Sequence, residues 1–349
     1  MSEAGGAPAG RDGGSRSGHD GPCYAALDLG TNNCRLLIAR PAGTGFRVVE
    51  AFSRIVRLGE GLSGSGRLAD AAMDRAAEAL GICAERIARR RVDPRRLRAV
   101  ATQACRTATN GPEFLDRIAA RTGLRLDIID PDEEARLSVA GCANLLDPEA
   151  EAAIVVDVGG GSTELSWLRR NGDGRFRTET WMSAPLGVVT LAERHPEPSP
   201  PTQAWYEAMV AEVRAVIDAH GGAPTLRPHF VAGRAQLIGT SGAITSLAGI
   251  HLGLSRYDRA RVDGLWMTVQ QCREAADRLA ALGPGGRAAQ PCIGPDRADL
   301  VLAGAAILEA VQRSWPCERV RVADRGLREG MLLSMMTRPP RRRRRRRRR

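Results

Sequence analysis

The chain has 349 residues, 43% hydrophobic and 26% charged, a composition of globular type and a length suited to about two domains. Its formal charge of +11 sits at one end: Arg341 to Arg349 are nine consecutive arginines, and eleven less nine leaves +2 for everything else. All 51 basic residues are arginine; with no lysine to place on a phosphate, a P-loop nucleotide hydrolase is excluded.

Residues 1–21 are rich in Gly and Ser and hold no apolar segment. This predicts a disordered start, no signal peptide and a cytoplasmic protein. No apolar run reaches the ~20 residues that span a bilayer, so no membrane partner is expected. Cys23–Asp28 predicts a buried strand, Cys34–Arg40 its hairpin partner and Phe46–Arg57 a third strand. A long amphipathic helix follows over Ala71–Arg90, then a short strand over Leu97–Thr102. Asn110 is set to cap a helix over Pro112–Arg121. Leu124–Ile129 predicts a strand, Asp132–Leu145 a helix and Pro148–Ala152 a connection. The second half continues with a strand over Gly233–Thr240, a Thr240-Ser241-Gly242 turn and a helix over Ala243–Ile250. Helices over Met267–Leu282 and Arg297–Arg313, a strand over Arg319–Ala323 and a helix over Leu327–Met336 complete the order. Strands alternate with helices in each half, so the class is α/β. The eight cysteines form no C-x-x-C pair and read as small core residues; the five histidines lack metal-ligand spacing. Pro339-Pro340 ends the last helix, and the arginine block beyond it repels itself. Such a tail is either a solvated end of biased composition or a weak binder of nucleic acid or other polyanions through counterion release.

Two segments share one pattern. In Ala25–Ala39, AALDLGTNNCRLLIA, an apolar run ends in Asp28, and Gly30 with Thr31, Asn32 and Asn33 joins it to a second apolar run. In Ile154–Trp167, IVVDVGGGSTELSW, Asp157 takes the place of Asp28, and Gly159, Gly160, Gly161, Ser162 and Thr163 form the joint. Two such turns, each opening a mixed α/β region, indicate an internal duplication. Glycine lets the backbone approach a ligand closely. Successive N–H groups in such a turn make an anion-binding nest, and the small polar side chains add donors. Phosphate suits such a cradle. A carboxylate beside phosphate needs a cation between them, and Mg2+ is held by one or two carboxylates with phosphate oxygens and water. Asp28 and Asp157 suit that metal or its bound water. Ordinary hairpin turns also favour Asp and Gly, which is the plainer alternative.

Two facing D-x-G-type hairpins from duplicated halves resemble the superfamily of actin, hexokinase and the heat-shock chaperone ATPases. The wording is closer still to the exopolyphosphatase / guanosine pentaphosphate phosphatase family. DLGTNNCRLLIA resembles its first phosphate motif and VVDVGGGSTEL its second. ATQACRTATN (101–110), IIDPDEEARL (128–137), RADLVLAGAAIL (297–308) and VADRGLREGMLL (322–333) resemble further family segments. The resemblance runs from about Cys23 to Met336. It implies two duplicated actin-like, ribonuclease H-like α/β domains with the substrate in the cleft between them. Residues 22–130 with 325–338 are expected to form the first and 131–324 the second, with 339–349 a disordered tail. It also implies a short form without the helical C-terminal extension of longer relatives, and a homodimer.

The chemistry implied is hydrolysis of a terminal phosphoanhydride: orthophosphate release from inorganic polyphosphate, conversion of pppGpp to ppGpp, or both. Such a reaction needs donors and a cation for the transferred phosphoryl, and a group to orient or deprotonate water. PDEEARL offers Asp132, Glu133 and Glu134 at a strand-to-helix junction, where carboxylates also simply favour a helix N-terminus. The resemblance makes Glu134 the catalytic base, with Glu133 in reserve. It leaves Asp28, Gly30, Thr31, Asn32, Asn33, Gly159, Gly160, Gly161, Ser162 and Thr163 to the phosphates. Asp157 and Glu164 fall to Mg2+, although Glu164 also reads as a strand charge facing solvent. Arginines hold polyanions bidentately; Arg35, Arg57 and Arg106 are placed for that by their motif positions. Thr240-Ser241-Gly242 departs from the family's Gly-Gly, so a nucleotide role there is not implied. Two other functions fit parts of the pattern. One is a kinase of the same superfamily acting on a small molecule. The other is a non-catalytic binder of polyphosphate, pppGpp or RNA.

Overall fold

The structure is a computed structural model and describes residues 21–337. The expectations for the N-terminal segment to residue 20 and for the arginine tail lie outside the described residues.

Two sheets carry the chain. The first comprises β1 (Tyr24–Leu29), β2 (Asn33–Ala42), β3 (Gly45–Ile55), β4 (Leu97–Ala101) and β5 (Asp127–Ile128) in the order β3-β2-β1-β4-β5. The second comprises β6 (Ala152–Val158), β7 (Thr163–Arg170), β8 (Phe176–Ala184), β9 (Ala235–Thr240), β10 (Trp266–Thr268) and β11 (Arg319–Ala323) in the order β10-β11-β9-β6-β7-β8. Without the edge strand β10, both sheets place third, second, first, fourth and fifth strands side by side. In both, the first three run as an antiparallel meander and the fourth lies parallel to the first. This is the ribonuclease H-like order twice over, as the two motifs imply.

The central strands β1 and β6 are almost wholly buried and apolar, which suits strands covered on both faces. The helix Asp70–Arg89 covers the first sheet with small residues, among them Ala72, Ala76, Ala79 and Cys83. The second core is larger and is anchored by the fully buried Trp167 and Trp315, whose ring centroids lie 5.6 Å apart. Seven of the eight cysteines are buried and all are free, as small core residues should be.

Two helices tie the halves together. Pro131–Cys142 leaves β5 of the first sheet and leads toward β6 of the second; Leu327–Thr337 follows β11 and packs on β1. They cross backbone to backbone. A Cβ on Gly330 would overlap the carbonyl of Leu137, and one on Gly141 would overlap that of Gly326. Leu137, Leu327, Met331 and Leu332 then join Ala26, Leu37 and Ile129 in one apolar cluster.

Several expected elements change. The strand over Leu124–Ile129 shrinks to Asp127–Ile128, because Leu124 and Leu126 turn into the core of the first half instead of continuing the ladder. Asn110 precedes its helix, yet its side chain does not cap it. It accepts from the Leu68 N–H at 2.8 Å and donates to the Leu68 carbonyl at 3.1 Å, stapling a loop. Met267 belongs to β10, and the following helix begins at Val269 behind a Thr268–Gln271 capping box. That helix is interrupted at Gly283 (φ 62°) next to Pro284, which is why the apolar periodicity stops at Leu282. The helix expected from Arg297 starts at Val301, after a 3-10 turn over Pro295–Arg297. Between Trp167 and Gly233, the strand β8 and the helices Val188–Arg194 and Gln203–His220 had no counterpart in the sequence reading.

Candidate active site

The two joints occupy equivalent places in their hairpins. In the first, Leu29 pairs with Cys34 and the Gly30 N–H donates to the Asn33 carbonyl at 2.8 Å. In the second, Val158 pairs with Thr163 and the Gly159 N–H donates to the Ser162 carbonyl at 2.9 Å. One step back along each ladder, Asp28 faces Arg35 and Asp157 faces Glu164. The duplication thus keeps the aspartate and changes the sign of the charge opposite it.

The turns meet each other. A Cβ on Gly160 would lie 3.1 Å from the Asn32 nitrogen, and one on Gly161 2.9 Å from Thr31 Oγ1, so only glycine permits this approach. The second turn is braced from behind. The N–H groups of Val188 and Val189 donate to the Gly159 and Gly160 carbonyls at 3.0 and 2.8 Å. The first is braced by the chain after β3, where Val56, Arg57 and Gly59 donate to the carbonyls of Asn32 and Thr31. Both turns open on a cleft of about 770 Å³ between the two sheets. Among the described residues, Asn32 Oδ1 and Asn33 Oδ1 have no hydrogen-bond partner although both atoms are buried. A buried amide without a partner is costly unless a ligand supplies one.

Six carboxylates line the same cleft, and Asp28, Glu134 and Asp157 are the three among them that the sequence singled out. Glu134 stands in the first turn of the Pro131–Cys142 helix, which Asp130 caps by accepting from the Glu133 N–H at 2.7 Å. Its neighbour Glu133 turns away to ion pairs with Arg98 and with Arg136. Of the two glutamates, therefore, Glu134 alone reaches the cleft. Its side chain is only 12% exposed and meets Arg106, whose Nη1 donates to Glu134 Oε2 at 3.2 Å. Arg106 is itself fixed, donating to the Ile129 carbonyl and to Gln103 Oε1, both at 2.7 Å.

The carboxylates are crowded and dry. Burial pushes Asp28 up to about 6, with Arg35 pulling the other way. Burial, then the charge of Glu164, holds Glu134 well above the usual carboxylate range, opposed by Arg106. Asp157 is raised by burial and lowered by a hydrogen bond from Ser138. Glu164 is pushed up to about 7 by burial and then by Asp157. Four acids competing for charge in one place suit a site that takes up a cation with its substrate. Among the described residues no group of three or more His, Cys, Asp or Glu is arranged to hold a metal. An all-protein cage is therefore absent there. The hard oxygen donors Asp28 and Asp157 are nevertheless compatible with a divalent ion that completes its shell from phosphate and water.

Not every residue singled out in the sequence lines the cleft. Gly30, Thr31, Asn32, Asn33, Arg35, Gly159, Gly160, Gly161 and Ser162 do. Thr163 sits behind the second turn, its hydroxyl donating to the Leu186 carbonyl at 2.7 Å. Glu164 is buried one layer further back, accepting from Ser183 Oγ at 2.7 Å; it does not face solvent, which corrects that alternative. Arg106 acts from behind Glu134. Arg57, in a left-handed conformation (φ 45°), forks onto Asp299 at 2.8 and 3.0 Å and so bridges the two halves at the rim.

Other cleft residues escaped the sequence reading. Arg297 lies across from Arg35: the Cβ position of Gly242 is 3.7 Å from Arg297 Cζ and 3.8 Å from Arg35 Nη2. Neither guanidinium has an ion-pair partner among the described residues, so the two converge on the cleft as free donors. Beside them Ser241 caps the helix Gly242–His251, accepting from the Ile244 N–H at 2.9 Å, and the helix points its N-terminus at the cleft. The signal for Arg297 was the Gly294-Pro295 break before an apolar helix, which lifts it out of the helix body.

The match to known proteins covers most of this architecture. The model of the Ppx/GppA phosphatase family matches residues 37–339. The chain belongs to the Ppx/GppA phosphatase family. It is 31% identical over 325 residues to exopolyphosphatase 2 of Mycobacterium tuberculosis, covering 89% of this chain and 98% of that protein. It is 30% identical over 317 residues to the guanosine-5'-triphosphate,3'-diphosphate pyrophosphatase of Photobacterium profundum. That match takes in 91% of this chain but only 60% of the longer relative. Among solved structures, the Aquifex aeolicus member of the family aligns at a TM-score of 0.71 with 29% identity, over 90% of this chain and 97% of that one. An exopolyphosphatase-like protein aligns at 0.78 with 32% identity, over 90% and 97%. The matched residues 37–339 take in the second turn, the Arg106 segment, the Glu134 helix and the crossing helix Leu327–Thr337, while the first turn lies just ahead of them. Among the described residues no helix is long and apolar enough to cross a membrane.

Proposed function

We propose that this chain is a phosphoanhydride hydrolase that removes terminal orthophosphate from inorganic polyphosphate, converts pppGpp to ppGpp, or does both. The observation that carries this is the meeting of two mirrored phosphate-type turns over a buried glutamate with an arginine behind it. The N–H groups and amides of Gly30–Asn33 and Gly159–Ser162 hold the terminal phosphoryl group and take up its developing charge. Glu134 orients an attacking water and accepts its proton, with Arg106 keeping the carboxylate ionised for that task. Arg35 and Arg297 hold the phosphates that remain with the leaving group. Asp28 and Asp157 hold Mg2+, with Glu164 supporting from behind; the ion supplies charge neutralisation for the transferred phosphoryl. The two sheets, joined by the crossing helices, are read as the two domains divided near residues 130 and 325.

Arg106 is held by the Ile129 carbonyl and by Gln103 Oε1, so the Glu134 carboxylate keeps a fixed cation at its back, which supports its use on a water molecule. The test is phosphate release in the presence of Mg2+ from long-chain polyphosphate and from pppGpp, side by side. Release from at least one supports the reading, and the ratio of the two rates names the substrate. Release from neither, with the protein folded, contradicts it.

A further inference from the structure

We infer that Ser138 is a positioning residue: its hydroxyl holds the Asp157 carboxylate of the second turn in register with Glu134 on the first turn of the same helix. This rests on the hydrolase reading above and names a residue that none of its motifs includes.

The geometry is specific. Ser138 lies four residues after Glu134 on the Pro131–Cys142 helix, so both side chains leave the same face one turn apart. Ser138 is 2% exposed, and its Oγ donates to Asp157 Oδ2. Among the described residues it is the one hydrogen-bond donor to that carboxylate. A serine on a helix face commonly bonds back to its own helix carbonyl; this one instead spends its proton on the strand β6 of the second sheet. The helix that carries Glu134 is thereby tied side chain to side chain to the second turn, at the level where Leu137 and Gly141 already press on the Leu327–Thr337 helix. Glu134 comes from the helix leaving the first sheet and Asp157 from the second sheet. Their separation decides whether water, phosphoryl group and carboxylate line up. A positional error of about 1 Å is enough to cost a large factor in rate.

A hydroxyl that only filled space would act on stability and leave turnover alone. One that aligns two reacting groups acts on kcat more than on KM, because the misalignment is felt in the transition state. The experiment compares wild type, Ser138→Ala and Ser138→Thr in steady-state phosphate release from tripolyphosphate and from pppGpp, with thermal unfolding measured for each. The expected result is a loss of about tenfold in kcat for Ser138→Ala with KM within about twofold of wild type, and recovery to within about threefold in Ser138→Thr. Wild-type turnover by Ser138→Ala overturns the inference. So does a loss confined to KM, or an equal loss in the alanine and threonine variants. A wild type that releases no phosphate from any substrate removes the hydrolase reading itself and takes this inference with it; an active wild type with an indifferent Ser138→Ala removes the inference alone.

Discussion

Arg106 donates to Glu134 at 3.2 Å from behind, on the side away from the cleft. The guanidinium touches the proposed base and does not line the cleft, so in the proposed reaction its effect is electrostatic and passes through Glu134. Burial drives the Glu134 carboxyl up and Arg106 opposes it. Removing the arginine therefore raises the Glu134 pKa further, and a base must be ionised to work. Arg106→Ala is expected to move the acidic limb of the kcat profile to higher pH. At pH 7 the variant loses more than about tenfold, and part of that returns by pH 9. A uniform loss at every pH contradicts this. The companion control is Glu133→Gln, whose parent turns toward Arg98 and Arg136; it should keep kcat within about fivefold.

Glu164 predicts a trade of stability for function. Its folded pKa is raised to about 7, above the ordinary carboxylate value, so the folded protein binds its proton more tightly than the unfolded chain. The sign follows: stability is highest with the proton on, and is lost as pH rises from about 4.5 through about 7. Glu164→Gln should raise the unfolding free energy of the ligand-free protein at pH 8 by an amount on the order of 1–3 kcal/mol, seen as a higher melting temperature, and do little at pH 4. Thermal unfolding at the two pH values checks this. An equal shift at both argues for repacking instead.

Arg57 was expected among the phosphates and is found bridging the halves to Asp299. Both side chains are partly exposed, so the pair contributes little stability. Arg57→Ala and Asp299→Ala should each change KM in the same direction by about two- to fivefold, and the double variant should be no worse than either alone. Additive effects would mean that Arg57 meets substrate independently of Asp299.

The crossing of the two linking helices predicts the largest structural effect. Gly330→Ala places a methyl on the Leu137 carbonyl, a backbone atom that cannot swing aside. The loss should be about 2–4 kcal/mol or more, read by denaturant unfolding. Gly285→Ala, with open space around it, is the matching control and should be nearly neutral.

What the sequence made legible follows from where the information is local. The two turns, their aspartates and the strands that flank them are written in contiguous residues, and Asp28 and Asp157 duly take equivalent places. Arg319–Ala323 was legible to the residue because Arg and Val alternate in it at the period of a strand. Relations across the fold were not legible. No spacing announces that Ser138 reaches Asp157, that Arg297 comes to face Arg35, or that Arg57 leaves the phosphates for Asp299. Asn110 failed as a cap because Leu68, 42 residues away, offered its amide two backbone partners. The strand β8 was missed because an edge strand with polar outward residues, as in FRTETWMSA, carries little apolar signal.

In the proposed reaction Glu134 activates water against a phosphoryl group held between the two turns. This role is tested most directly by phosphate release with Mg2+ from long-chain polyphosphate and from pppGpp, measured for wild type and for Glu134→Ala. Wild type is expected to release phosphate from at least one of them, and the variant to lose about 10²–10⁴-fold in kcat with KM changed far less. A Glu134→Ala protein that turns over at a rate near wild type would contradict it.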